Sequence, residues 1–378
     1  MSRNRDSASW LLFATTFLSL VITLACNSGS QSSLSNAPQG GANSGAILGA
    51  GSTFVYPVMT KWISDFQKSH SGVQINYQSI GSGGAIQQLK KGLVDFGASD
   101  AALEDEQLKE MPPLVQIPES AGPVCITYNL PELKNPLKLS GSTLAGIFLG
   151  KIKTWQDPAV KKDNPGVTLP NHPIIVAHRS DGSGTTKIFT TYLAKVSPDW
   201  EKQAGKGLSV KWPIGIGGKG SEGVTGVVKQ TPGGIGYVEL TYAKENKLPV
   251  ASVRNRAGNW VEPSAESTTA AINVAAEELA KDPRTPIVDP PASAKEAYPI
   301  AGLTYLLVPK QGKDAKKTET LKQFIEYIVT QGQNEAEALS YAKLPSALQQ
   351  LDQNLLSQVG SKGPPAQAQL KARVQHSS

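Results

Sequence analysis

The seven residues Arg179-Ser180-Asp181-Gly182-Ser183-Gly184-Thr185 place a guanidinium, two glycines and three hydroxyls directly ahead of a helix predicted over residues 186–193. The first turn of a helix presents unpaired backbone N–H groups, and glycines let an anion approach them closely. Arginine adds a rigid fork of donors matched to a tetrahedral oxyanion. The segment predicts an anion cradle. Taken alone, the same residues also fit an ordinary Gly/Ser turn closed by a helix cap.

Three more polar tips lie upstream: Ser52-Thr53-Phe54, Gly81-Ser82-Gly83-Gly84 and Ser99-Asp100. Ser52, Thr53, Ser82, Ser183 and Thr185 offer hydroxyls, while Phe54 and Gly184 offer backbone N–H groups near helix starts. Any one of them would pass as a cap; four in one chain point to a shared site. Asp100 differs in kind. A carboxylate repels an anion unless a proton lies between them, and phosphate carries that proton at neutral pH whereas sulfate carries none. An aspartate acceptor would therefore discriminate against sulfate by roughly several kcal/mol. The competing role for Asp100 is a cap on a helix starting at Ala101-Ala102-Leu103-Glu104.

The surrounding elements must bring these tips together. Residues 46–49 read as a buried strand, after which Ser52-Thr53 caps a helix whose apolar face is Val55, Met59, Trp62, Ile63 and Phe66. Residues 73–77 and 93–98 read as strands with a helix between them through Leu89, and residues 173–177 as the strand ahead of Arg179. Strand, polar tip and helix in repetition predict an α/β fold of mainly parallel sheets flanked by helices. Ligands in such sheets gather beyond the C-terminal strand ends. Tips this far apart in sequence meet in a cleft between two lobes. Residues 123–129 and 234–239 read as crossings, giving a discontinuous first lobe of residues 46–125 and 246–378 and a second of residues 126–245. The return path is predicted as a helix over 268–280, a strand over 303–308 and a helix over 318–331. Residues 349–378 read as a weak helix and a polar tail.

A chain of 378 residues is long enough for two such lobes. Lys+Arg 37 against Asp+Glu 31 leave a net charge of +6, dispersed and without a basic, aromatic-interleaved run, which excludes nucleic acid as a partner. Arg3 and Arg5 precede an apolar run over residues 10–25 ending in Thr23-Leu24-Ala25-Cys26. Residues 1–25 thus read as a bacterial lipoprotein signal, with Cys26 carrying a lipid anchor to a membrane. Thr23 departs from the usual leucine, and a plain secreted signal is the alternative. Residues 26–45, rich in Ser, Gly, Asn, Gln and Ala, read as a flexible tether. Cys125, in an apolar run, is expected to be a buried inert thiol, with no intrachain disulfide framework.

Other chemistries fit poorly. Gly215-Ile216-Gly217-Gly218-Lys219-Gly220 lacks the spacing of a dinucleotide fingerprint and the hydroxyl residue of a phosphate loop, so a turn feeding a helix over 221–230 is the better account. His70, His172 and His178 form no pair with metal-ligand spacing. Ser183 and His178 suggest a hydrolase only weakly, because the serine lacks the G-x-S-x-G frame. No cofactor and no catalysis are expected.

Together, Gly49-Ala50-Gly51-Ser52-Thr53-Phe54, Ile80-Gly81-Ser82-Gly83-Gly84, Asp95-Phe96-Gly97-Ala98-Ser99-Asp100, the Arg179 segment and Gly217-Gly218-Lys219-Gly220-Ser221-Glu222-Gly223-Val224 resemble the phosphate-binding proteins of bacterial high-affinity phosphate ABC transporters. The resemblance runs from about residue 46 to residue 329. It implies a two-lobed periplasmic-binding fold of type II closing on one inorganic phosphate, a monomer, and a membrane permease as partner. It assigns Thr53, Phe54 (through its N–H), Ser82, Arg179, Ser183, Gly184 and Thr185 as ligands, Asp100 as the acceptor of the phosphate proton, and Asp181 as the partner that orients Arg179; Ser52 joins the ligand set from its hydroxyl and position alone. A phosphate sensor, a phosphate-ester hydrolase and a structural lipoprotein remain as alternative functions.

Overall fold

The strands alternate with helices along most of the chain. In a computed structural model, which describes residues 45–360, they are β1 (Ile47–Gly51), β2 (Ile75–Ser79), β3 (Phe96–Ser99), β4 (Leu114–Tyr128), β5 (Lys138–Leu139), β6 (Ile175–Arg179), β7 (Ile216–Gly218), β8 (Gly234–Glu239), β9 (Ser252–Arg254), β10 (Trp260–Val261) and β11 (Ala301–Pro309). The signal, Cys26, nearly all of the tether and the polar tail beyond residue 360 lie outside the described residues. Among the described residues no helix is long and apolar enough to cross a membrane.

Eight strands form one sheet in the order β2-β1-β3-β11-β4-β8-β6-β7, and β10-β9-β5 form a small second sheet. Pairing is parallel at both ends of the large sheet, between β1, β2 and β3 and between β6, β7 and β8. It is antiparallel in the middle, where β11 joins β3 to β4 and β4 joins β8. Three antiparallel steps separate β3 from β8, so the two parallel sets run in opposite senses. The fifteen-residue β4 bonds β11 over residues 114–123 and β8 over residues 124–128, which offsets the two sets along its length. Their C-terminal tips consequently face one another. This is a mixed α/β periplasmic-binding fold.

Each end of the sheet has its own aromatic packing. At the β1 end Phe54, Trp62, Phe66, Phe96 and Phe324 are buried. The helix Tyr56–Ser69 turns Val58, Met59, Trp62 and Phe66 inward, and the Trp62 indole N–H donates to the Gly332 carbonyl (2.8 Å). At the β8 end Phe148, Phe189, Tyr237 and Trp200 are buried, with Phe189 stacked on Tyr237 at 4.4 Å between centroids. Full burial of one such side chain stabilises the fold by about 1.5–3 kcal/mol. Cys125 is free and buried, and burial pushes its thiol well above the ordinary range.

The helix expected over 268–280 is two helices, Ala265–Val274 and Ala276–Lys281. Ser264 caps the first in a reciprocal bond set with Ser267, earlier than the apolar pattern begins, and the Ala275 N–H closes onto the Ile272 carbonyl (3.0 Å), tightening the last turn and ending it.

The helix Ser346–Leu356 buries Asp352 with neither carboxylate oxygen hydrogen-bonded, and burial pushes its pKa up to about 8. The folded protein then holds a proton that the unfolded chain releases near pH 4, so stability falls as pH rises from about 4 to 8. Asp352→Asn removes that titration. Its melting temperature relative to the native chain is expected to climb by about 5 °C between pH 5 and pH 8. A gap that stays constant with pH in thermal melts would show that Asp352 does not titrate there.

Candidate anion-binding site

Five loops meet where the facing tips converge: those after β1, β2 and β3 from one side and after β6 and β7 from the other. Four helices start in or just beyond these loops, Tyr56–Ser69, Ser82–Lys90, Gly184–Val196 and Gly220–Gln230. Their first-turn N–H groups and dipoles favour negative charge at the junction.

Asp100 sits at the centre of this junction. It is 4% exposed, accepts from the Ser52 hydroxyl at Oδ1 and from the Thr185 hydroxyl at Oδ2 (2.9 Å), and so ties β1 to the far side. Ser82 Oγ accepts from the backbone N–H groups of Asp100 (3.3 Å) and Gly184 (3.1 Å). The Phe54 N–H donates to Ser52 Oγ (3.0 Å), and the Gly83 N–H to the Gly182 carbonyl (2.9 Å). Burial raises the Asp100 carboxyl above its ordinary value; hydrogen bonds from Ser52 and Thr185 and the charge of Arg179 oppose that rise. Asp100 caps no helix. The next one, Asp105–Lys109, is capped by Glu104, which removes the alternative role.

Arg179 ends β6 with its side chain 2% exposed. Its Nε and Nη2 donate to the two Asp181 oxygens at 2.8 and 2.6 Å, and its backbone N–H donates to the Tyr237 hydroxyl (3.2 Å). Burial by itself would lower the guanidinium and raise the carboxyl. The forked pair prevails, leaving Arg179 above and Asp181 below their usual values. Asp181 Oδ1 also accepts from the Gly220 N–H (3.0 Å), so one carboxylate braces both the arginine and the loop after β7. Nη1 keeps two N–H groups beyond this brace.

Ser183 is the N-cap of the helix Gly184–Val196, its Oγ accepting from the Thr186 N–H (3.1 Å). Capping occupies an acceptor lone pair and leaves the hydroxyl proton available to a guest. Thr53 faces Ser221, which sequence reasoning left without a role although it lies in the singled-out segment 217–224. The Tyr242 hydroxyl, which no sequence feature marked, donates to the Thr53 carbonyl (2.6 Å).

Among known proteins, the family described as PBP superfamily domain matches residues 36–331. A phosphate-binding protein PstS of Xylella fastidiosa is 45% identical over 303 residues, spanning 80% of this chain and 82% of the relative. Its counterpart in Haemophilus influenzae is 44% identical over 306 residues, spanning 81% and 90%. In Methanocaldococcus jannaschii the figures are 40% over 337 residues, 83% and 86%. The chain belongs to the PstS family. Solved structures share the fold of this PstS-family chain: a high-affinity periplasmic phosphate-binding protein bound with phosphate has a TM-score of 0.64 at 22% identity, over 84% of this chain and 99% of its own. A phosphate-binding protein from Stenotrophomonas maltophilia has 0.60 at 20% identity, over 81% and 92%.

Close approach across the junction of this PstS-family chain depends on glycine. A Cβ on Gly184 would lie 2.7 Å from Asp100 Cβ, Asp100 N and Ser82 Oγ. Gly184→Ala is expected to hold the two sides apart, weakening anion binding by about a hundredfold while the melting temperature without anion stays near that of the native chain. Titration calorimetry beside a thermal melt checks both; native-like affinity would show that the sides need not meet this closely.

Proposed function

We propose that this protein captures one inorganic phosphate in the periplasm and delivers it to the membrane permease of a phosphate ABC transporter. The relatives named as phosphate-binding proteins support the ligand, and the geometry supports the manner of binding. Residues 46–125 with 246–378 form one lobe and residues 126–245 the other, closing on the ion. Hydroxyls of Ser52, Thr53, Ser82, Ser183 and Thr185, N–H groups of Phe54 and Gly184, and the guanidinium of Arg179 donate to its oxygens. The Ser52 and Thr185 hydroxyls exchange their bonds to Asp100, and the Phe54 and Gly184 N–H groups their bonds to Ser52 and Ser82, for bonds to the ion. Asp181 orients Arg179. Closure removes water and gives the permease a distinct shape to recognise. Cys26 carries the lipid that tethers the monomer to the membrane, and no cofactor takes part.

The carrying observation is Asp100, a carboxylate enclosed by donors where an anion would sit. Only an anion bringing its own proton turns that oxygen from a repulsive neighbour into an acceptor. Catalysis finds no such support. His178 stacks on Trp212 at 4.8 Å and its Nδ1 contacts the Arg179 carbonyl at 3.0 Å, while Ser183 Oγ caps a helix, so these two are engaged elsewhere and not with one another. Calorimetry with phosphate, arsenate and sulfate tests the reading. Phosphate and arsenate should bind tightly and sulfate at least a hundredfold more weakly; comparable sulfate affinity would remove the role given to Asp100.

A further inference from the structure

The segment 217–224 holds a residue whose contacts reach across the junction. Ser221 is 1% exposed at the start of the helix Gly220–Gln230. Its N–H donates to Thr53 Oγ1 (3.1 Å), and its own hydroxyl lies 2.8 Å from the same oxygen, over a sequence separation of 168 residues. We infer that Ser221 is a positioning residue for phosphate, acting by fixing which way the Thr53 hydroxyl points. The inference rests on the phosphate-site reading above and gives that site a determinant beyond the residues that touch the ion.

A threonine hydroxyl has one proton and two lone pairs. The Ser221 N–H fills one lone pair. When the Ser221 hydroxyl donates into the other, Thr53 has no acceptor capacity left, and its single proton must go to a third partner. An anion supplies that partner, while an unheld hydroxyl could equally turn a lone pair toward it and repel it. The Ser221 helix is anchored by the bond from Gly220 N–H to Asp181 Oδ1, the carboxylate that also holds the Arg179 fork. Tyr242 fixes the backbone of Thr53 from the same side. One brace thereby links a cationic donor and a hydroxyl donor: the Arg179 fork is held within one side, while the Thr53 alignment forms only when the two sides meet.

A double-mutant cycle on the full-length protein, read by calorimetry with inorganic phosphate, tests this. Ser221→Ala is expected to weaken binding about tenfold and Thr53→Val at least tenfold, because each spoils one donor to a charged guest. The double variant should bind within about twofold of Thr53→Val, since Ser221 acts through that hydroxyl. Native affinity in Ser221→Ala, or losses that multiply in the double variant, would overturn the inference while leaving the phosphate site standing. Native affinity in Thr53→Val would overturn the site reading and the inference with it. Melting without phosphate separates a folding defect from lost orientation: the positioning role requires Ser221→Ala to melt within a few degrees of the native chain.

Discussion

Arg179→Ala is expected to weaken phosphate binding by about a thousandfold, because removing one partner of a buried charge pair costs roughly 3–5 kcal/mol. The loss has two sources. Phosphate would enter a buried site without the guanidinium charge, and Asp181 would keep a negative charge beside it with no guanidinium to neutralise it. Arg179→Lys should recover only part of the affinity. An ammonium is a point charge and cannot reproduce the paired bonds from Nε and Nη2 to the two Asp181 oxygens. Equilibrium dialysis resolves all three proteins. Retention of binding within threefold in Arg179→Ala would mean that the ion sits elsewhere.

Asp100→Asn is expected to act mainly on selectivity. Asparagine presents a carbonyl and an N–H₂ group in place of two acceptors, so the proton of phosphate is no longer required and sulfate is no longer repelled. The preference for phosphate over sulfate should fall by about a hundredfold. The pH dependence follows from the direction of the Asp100 shift. Burial raises its pKa, so acidification protonates it sooner than an exposed carboxylate. Below that point the native site has lost its proton acceptor, and its selectivity should decline as pH falls. The asparagine variant should show no such step. Parallel selectivity curves for the two proteins would exclude Asp100 as the discriminating group.

The convergence of the polar tips was legible because each tip combines a strand end, a helix start and small polar residues within a few positions. Local spacing carries that information. Strand limits were less legible. Residues 73–77 alternate as a strand should, yet β2 spans Ile75–Ser79 because its ladder is set by Ile75 facing Ile47 on β1, a pairing that no local pattern encodes. The same reason hid Ser221. Its partner Thr53 lies far along the chain, and a serine in a glycine-rich turn looks like a cap until the other side is present. The pairing of Asp181 with Arg179 was expected from the family resemblance alone, and its second bond, to the Gly220 N–H, had no sequence signal.

The place of β11 in the sheet has a consequence for how the chain acquires its structure. This strand begins at Ala301, yet it lies between β3 and β4, both complete by Tyr128. Until roughly the last fifth of the chain is delivered, the middle of the sheet lacks a strand and β3 has no bonded neighbour on that side. Long-range pairings of this kind slow folding. A partly delivered chain therefore cannot join its two parallel strand sets, and the junction of polar tips is completed only as the last part of the chain arrives.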